Sequence, residues 1–289
     1  MARELVTEND IRAYETDGIV CVRGAFGREW IELLAAGVEK NIAQPGPLHT
    51  VQQTANDPGF FLTDFCMAHR LEEFRRFAVA SPAAEIAARL MRSTRVNFFY
   101  DGLWVKERGT PKRTRWHQDQ PYYSVDGRHM CILWLPLDPV PREVCLELVR
   151  GSHNWGRWFQ PELTRTGRDL YPENTAFERM PDIESARSHY DIVAFDMRTG
   201  DVIAFHGMIV HGAPGNPGST NRRRALSTIW LGDDAVYATR PGPVRPRFEG
   251  HGLVPGDAMD SPYFPRVWPV RADAYEAPRF TDARFKVSI

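Results

Sequence analysis

Near residue 95 the apolar pattern of this chain changes period, and that change limits the folds open to it. Before it, apolar residues recur at helical spacing. Ile31, Leu34, Val38 and Ile42 share one face of the stretch 28–43, which reads as an amphipathic helix. Thr7 stands ahead of Ile11 and Tyr14 as an N-cap would. Leu71, Phe74, Phe77 and Ala78 mark a further helix, and Ser81-Pro82 opens another, with Ile86, Leu90 and Met91 on its core side. One short strand is expected at 18–24 between glycines, and 44–57, rich in Pro, Gly, Gln and Asn, reads as loop. After the change, strands are expected at 96–106, 130–137, 144–150, 191–195, 201–205 and 225–231, with turn residues between them. No helices alternate with these strands, which argues against a parallel βαβ sheet. The expectation is a mainly β fold with flanking helices, a sandwich or jelly roll with the helices packed outside.

The length, 289 residues, suits a single domain: a helical third over 1–94, a jelly-roll core over 95–235 and a C-terminal extension over 236–289. A net charge of −1 offers no basic face, so no nucleic-acid partner is expected. No apolar run approaches the roughly 18 residues of a membrane helix, and the first residues lack the apolar stretch of a signal peptide. Cys21, Cys66, Cys131 and Cys145 have no paired spacing and read as reduced core residues of a cytoplasmic protein. Two long segments, 155–188 and 237–289, lack periodicity. Their aromatics (Trp155, Trp158, Phe159, Tyr171, Phe177, Tyr263, Phe264, Trp268) read as ordered covers over a pocket.

The chemistry gathers at His117-Gln118-Asp119. In an extended strand, side chains two apart point the same way, so His117 and Asp119 would face one ion together. Trp116 and Tyr122 flank the pair and would wall off a dry pocket. Far downstream, His211 follows the strand-like run 201–206. Two histidines and one carboxylate, leaving open positions, are the ligand set of non-haem Fe(II) oxygenases. A Zn(II) or Mn(II) hydrolase can use the same set, although no HExxH or GxSxG motif accompanies it, and a non-catalytic jelly-roll binding protein is a third reading. Arg222-Arg223-Arg224-Ala225-Leu226-Ser227 then opens a strand. A guanidinium grips a carboxylate with two parallel hydrogen bonds, which suits the far end of a keto-acid cosubstrate. Only one face of this strand looks inward. Arg223 would share it with small Ala225 and hydroxyl-bearing Ser227; the alternative face carries Arg222, Arg224 and Leu226.

These three stretches together resemble the signatures of the phytanoyl-CoA dioxygenase family: Trp116 to Asp119, the Gly200 to Gly212 run ending on His211, and Arg222 to Ser227. The similarity extends from Glu15-Thr16-Asp17-Gly18 to the strand at 222–227 and includes Val105-Lys106-Glu107. It implies a double-stranded β-helix (jelly-roll, cupin-like) core, Fe(II) as metal, and 2-oxoglutarate and O2 as cosubstrates. His117, Asp119 and His211 match the family's iron ligands, and Arg223 matches the arginine that pairs with the cosubstrate's distal carboxylate. Arg222 stands at the family's ordinary spacing from His211, but the Arg-x-Ala-Leu-Ser pattern favours Arg223, with one residue inserted in the 214–221 turn. Because Asp119 is present, where halogenating relatives carry a small residue, the resemblance implies hydroxylation or another two-electron oxidation. Lys106 and Gln118 are candidate donors near the cosubstrate. Asp101, Trp104, Tyr122, Tyr123 and Trp134 are candidates for the substrate wall, and His206 is a candidate partner of the metal ligands. The basic run Lys112 to Arg115 would suit an anionic substrate. The expected partner is a small molecule; the sequence does not decide between a monomer and a homo-oligomer.

Overall fold

The structure, a computed structural model, describes residues 4–163, 166–173, 176–218, 221–269 and 286–288. Helix α1 (Glu8–Asp17) starts on a reciprocal capping box: the Thr7 hydroxyl accepts from the Asp10 N–H, and the Asp10 carboxylate accepts from the Thr7 N–H at 2.8 Å. It ends at Gly18, whose φ of 72° is the left-handed conformation that glycine enters without strain. Helix α2 (Arg28–Ala43) buries Ile31, Leu34 and Val38, α3 (Glu72–Ala80) buries Phe74 and Phe77, and α4 (Ala83–Leu90) buries Ile86 and Leu90. These are the faces the apolar spacing anticipates.

Strands follow in chain order: β1 (Ile19–Val22), β2 (Thr50–Gln52), β3 (Phe61–Phe65), β4 (Val96–Lys106), β5 (Thr114–His117), β6 (Val125–Asp126), β7 (Met130–Pro136), β8 (Glu147–Val149), β9 (Ile192–Val193), β10 (Val202–His206), β11 (His211–Ala213), β12 (Arg223–Leu231), β13 (Val236–Tyr237), β14 (Arg247–Glu249), β15 (Arg266–Trp268) and β16 (Lys286–Ser288). The large sheet runs β1-β10-β7-β12-β4-β3-β2, with β15 also on β4; the small sheet runs β5-β11-β8-β9. Every strand pairing is antiparallel. The fold is the expected jelly roll with helices outside it. Two sequence expectations need correction. The 44–57 loop contains β2, and β3 was not foreseen; its pairing with β4 supplies the order that local sequence does not. The expected strand at 144–150 is shorter, because a 3-10 turn (Arg142–Val144) precedes β8.

Alternation along the central strands creates two cores. Leu133 and Leu135 of β7, Leu103 and Val105 of β4, and Leu226 and Trp230 of β12 face the helices. Ile132 and Trp134 of β7, Ile203 and Phe205 of β10, and Ala225 and Ile229 of β12 face the small sheet, with Leu148 and Ala213 opposite. All four cysteines are free, three of them buried. No helix among the described residues is long and apolar enough to cross a membrane. Of the C-terminal extension, residues 270–285 and 289 lie outside the described residues, as do 219 and 220 of the turn where the inserted residue was expected.

Candidate metal centre

The small sheet brings the two distant histidines side by side. In the β5–β11 register His117 stands directly opposite His211, with ring centroids 4.2 Å apart. Asp119 arrives differently from the strand alternation expected of it. Strand β5 ends at His117, and Asp119, at φ −79° and ψ −46°, opens a 3-10 turn (Gln120–Tyr122). The Asp119 and Gln120 N–H groups both donate to the Gly207 carbonyl, at 3.1 and 3.0 Å, and that anchors the turn beside the histidines. The result is a cluster in which His117 Nε2 lies 3.5 Å from Asp119 Oδ1 and His211 Nε2 lies 3.9 Å from Asp119 Oδ2. The candidate ligand atoms of all three lie within 4.8 Å of one another.

Backbone carbonyls select the tautomer. His117 Nδ1 is 2.8 Å from the Arg115 carbonyl and His211 Nδ1 is 3.0 Å from the Ile209 carbonyl. A carbonyl can only accept, so each Nδ1 carries the proton and each Nε2 turns a lone pair toward the cluster. Tyr123 donates to Asp119 Oδ1 at 3.3 Å and accepts from Tyr100 at 2.6 Å, which steadies the carboxylate. Burial holds His211 down to about 4, helped by the neighbouring His117. Burial also disfavours the His117 imidazolium, but the Asp119 carboxylate outweighs it and raises the pKa above the ordinary value. Burial would likewise raise Asp119, yet the two imidazoles keep it below its usual range. Two neutral-capable imidazoles and an ionised carboxylate suit a divalent ion of intermediate hardness, Fe(II) among them.

A second cluster lies at the inner end of the same cavity. Lys106 and Arg223 are cross-strand partners on β4 and β12, and both are buried. Lys106 donates to the Ala213 and Pro214 carbonyls at 3.2 and 2.8 Å; Arg223 Nη2 donates to Pro214 at 3.2 Å, and its Nη1 has no partner among the described residues. Burial lowers both pKa values, that of Arg223 to about 10. Neither cation meets a carboxylate among the described residues. Arg222 and Arg224 face the other way, Arg222 on Glu107 and Glu39 at 2.5 and 2.8 Å, Arg224 on Asp138 at 2.7 Å. Only Arg223 therefore lines the cavity with the triad, together with Ala225 and Ser227.

The sequence matches the family model of phytanoyl-CoA dioxygenase (PhyH) over residues 14–225. The chain belongs to the phytanoyl-CoA dioxygenase family. That family consists of Fe(II)/2-oxoglutarate oxygenases, and the donor set described above fits both groups. Comparison with curated proteins gives no match. Among solved structures, SnoK, a non-heme alpha-ketoglutarate-dependent carbocyclase from nogalamycin biosynthesis, is 24% identical with a TM-score of 0.69, covering 90% of this chain and 96% of that one. SnoN, an epimerase solved with Fe3+, alpha-ketoglutarate and nogalamycin RO, is 20% identical at a TM-score of 0.69, covering 90% and 98%. EctD from S. alaskensis, solved with 2-oxoglutarate and 5-hydroxyectoine, is 18% identical at 0.63, covering 86% and 83%. At these identities the likeness establishes a shared fold.

Within this family fold, the remaining candidates divide by face. Trp104, Tyr123 and Trp134 line the inner cavity with Ser227, whose hydroxyl accepts from the Trp104 indole at 3.1 Å, and Trp104 and Tyr123 border the outer cavity too. Tyr122 lines the outer cavity and stands edge-on to His117 at 5.9 Å. Three expectations are corrected. Asp101 lies on the opposite face of β4 from Tyr100 and Gly102; its carboxylate accepts from the Ala68 N–H at 3.0 Å, and burial raises it to about 7. His206 follows inward-facing Phe205 on β10 and so points outward, to His153 and Tyr14, with its Nδ1 accepting from Met208. Its supposed role beside the ligands belongs to the Arg115 and Ile209 carbonyls. Gln118 spends its amide on the Arg157 and Met208 carbonyls, at 3.0 and 3.1 Å, and on the Phe159 N–H at 3.0 Å. It fastens the cover to the turn that carries Asp119, and none of these bonds reaches the Lys106 and Arg223 end of the cavity.

The cover segment 155–188 supplies Gln160, Glu162, Leu163, Thr166 and Arg168 to an outer cavity of about 440 Å³. β2 and β3 add Thr50, Gln52, Thr63 and Phe65, and the C-terminal segment adds Arg245 and Pro246. No spacing pattern marks these residues; only the unforeseen β3, with its alternating Phe61, Thr63 and Phe65, carried a readable signal.

Two outcomes follow from this geometry. Replacing Gln118 by Leu strands a buried N–H and two carbonyls, and should lower stability by about 2 kcal/mol or more, read from denaturant midpoints. Metal loading must displace the proton that Asp119 favours on His117. Apparent Mn(II) or Co(II) affinity should therefore fall by up to about tenfold per pH unit once pH drops below the raised His117 pKa; titration calorimetry across pH checks it, and a flat profile contradicts it.

Proposed function

We propose that this protein is an Fe(II)- and 2-oxoglutarate-dependent dioxygenase that hydroxylates an unactivated C–H of a small-molecule metabolite, releasing succinate and CO2. The observation that carries the reading is the pairing, in one cavity, of a two-histidine-one-carboxylate cluster with two buried cations that have no anionic partner among the described residues. Burying an unpaired charge costs several kcal/mol, so such a pair implies an anion from outside. A dicarboxylate fits, with its distal carboxylate on the free Nη1 of Arg223 and its keto-acid end at the metal. Fe(II) bound there would supply O2 activation and the oxidising equivalents for breaking the C–H bond. The chain's own part is to hold and shield. His117, Asp119 and His211 would hold the ion; Tyr100 and Tyr123 fix the Asp119 carboxylate; Lys106 would neutralise the cosubstrate's charge; and Phe205, Trp134 and Leu146 would keep water from the inner cavity.

We read the described parts of 1–289 as one oxygenase domain, since β15 of the C-terminal extension pairs with β4 of the large sheet. The retained Asp119 supports hydroxylation over halogenation, and mass analysis of a product carrying one added oxygen distinguishes it from epimerisation or ring closure.

His117→Ala should abolish iron-dependent succinate formation while the fold, read by circular dichroism, persists; surviving turnover refutes the ligand assignment. Arg223→Gln should raise the 2-oxoglutarate KM about 10- to 100-fold, the loss expected for hydrogen bonds to a charged group, whereas Arg222→Gln should leave it within about twofold. The reverse pattern transfers the role to Arg222.

A further inference from the structure

The outer cavity carries a charge imbalance that the metal centre does not explain. Arg115, Arg168 and Arg245 line it, and besides Asp119 at its floor only Glu162 among the described lining residues is acidic. Arg115 has Glu162 as an ion partner at 3.9 Å. Arg168 and Arg245 make no ion pair among the described residues. Like charges gathered without counter-charges repel one another, and a concave apolar wall strengthens their field.

Arg245 is the more firmly built of the two. Arg168 is exposed, whereas Arg245 is half-buried, with Nε out of solvent and without a hydrogen-bond partner among the described residues. Its backbone N–H donates to the Tyr122 carbonyl at 2.9 Å, and the Tyr122 ring packs edge-on against His117. The backbone that carries the Arg245 guanidinium is thus tied to the residue that borders His117. The basic run expected to meet an anion is largely committed elsewhere: Lys112 pairs with Asp57 at 3.2 Å, and Arg113 pairs with Glu184 and Glu147 at 3.1 and 3.4 Å. Aromatic rings line the same cavity, with Trp104 held by Ser227 and packed against Phe65. A cavity of about 440 Å³ matches one small molecule.

We propose that Arg245 anchors an anionic group of the substrate, a carboxylate or a phosphate, while the substrate's apolar body lies along Trp104 and Tyr122 toward the metal. The proposal rests on reading His117, Asp119 and His211 as the reacting centre. It makes Arg245 a specificity-determining residue supplied by the C-terminal segment.

The test uses matched probes and titration calorimetry on the full-length, metal-free protein: 4-phenylbutyrate against 4-phenylbutyramide, and phenyl phosphate against phenol. Wild-type protein should prefer the anionic member of at least one pair by about tenfold or more, and the pair with the larger ratio separates carboxylate from phosphate. Arg245→Gln should abolish that preference, Arg245→Lys should keep part of it, and Arg223→Gln should leave it in place. Equal or absent binding of both members by the wild type overturns the proposal. So does a preference that survives Arg245→Gln, or one lost only in Arg223→Gln, which would mean that the probes occupy the cosubstrate end. Binding here needs neither iron nor cosubstrate. A wrong metal centre would therefore appear as absent succinate formation with the preference intact, and a wrong anchor as the reverse.

Discussion

Strand β12 does two incompatible jobs at once, and the period of two is what permits it. Leu226 and Trp230 on its outer face pack against the helices, while Arg222 and Arg224 find carboxylates there. Arg223, Ala225, Ser227 and Ile229 on its inner face line the cavity. A slip of one residue would bury Arg222 and Arg224 and turn Trp230 into the cavity, so the register is strongly specified. The pairings with β4 and β7 on either side enforce it over most of the strand. Fold and site therefore share one constraint: the strand that forms the middle of the large sheet also carries the inner guanidinium.

The electrostatics of the cavity follow from that arrangement. Lys106 comes from β4 directly across from Arg223, so the sheet register itself puts two positive charges at the inner end. At the triad the signs reverse, with one carboxylate between two imidazoles whose Nδ1 atoms are tied to the backbone. A cavity positive at one end and ready for a cation at the other suits a chelating dicarboxylate better than a neutral ligand. It also gives the hydrolase reading little support: no further carboxylate lines the inner cavity among the described residues, and Glu162, the one other carboxylate among the described residues lining the outer cavity, faces the Arg115 guanidinium.

Much of this was legible in the sequence, though not always for the reason first given. Alternation brings His117 and Asp119 together on paper, but in the molecule Asp119 has already left the strand, and the shared Gly207 acceptor does the work. The same alternation correctly separates Arg223 from Arg222, because β12 is long and regular. It also carries the information that Asp101 and His206 point away from the cavity. For His206 an inward neighbour, Phe205, was available as a guide; for Asp101 the alternation from Trp104 and Lys106 was. Gln118 is different. Its three backbone partners come from residues about 40 and 90 positions away, and no local pattern encodes such a contact. The outer cavity was illegible for the same reason, since its residues come from β2, β3, the cover and the C-terminal segment, which meet only in the folded chain.

That division has a physical consequence for selectivity. The triad and the two inner cations belong to strands, or to a turn bonded to a strand end, and their positions are fixed by sheet hydrogen bonds. Over the outer cavity, the cover is held by a few side-chain contacts: Gln118 to its Arg157 and Phe159, Tyr122 to Glu162 through both donor and acceptor, and Tyr171 to the Pro121 carbonyl at 2.9 Å. Changes in the cover can reshape the outer cavity with little effect on His117, Asp119 and His211, because these contacts, unlike the β3–β4 pairing that carries Thr63 and Phe65, are not sheet hydrogen bonds. The reverse does not hold. Gln118 lies between His117 and Asp119 in the chain, so a disturbance of the metal-bearing turn must also loosen the cover it fastens.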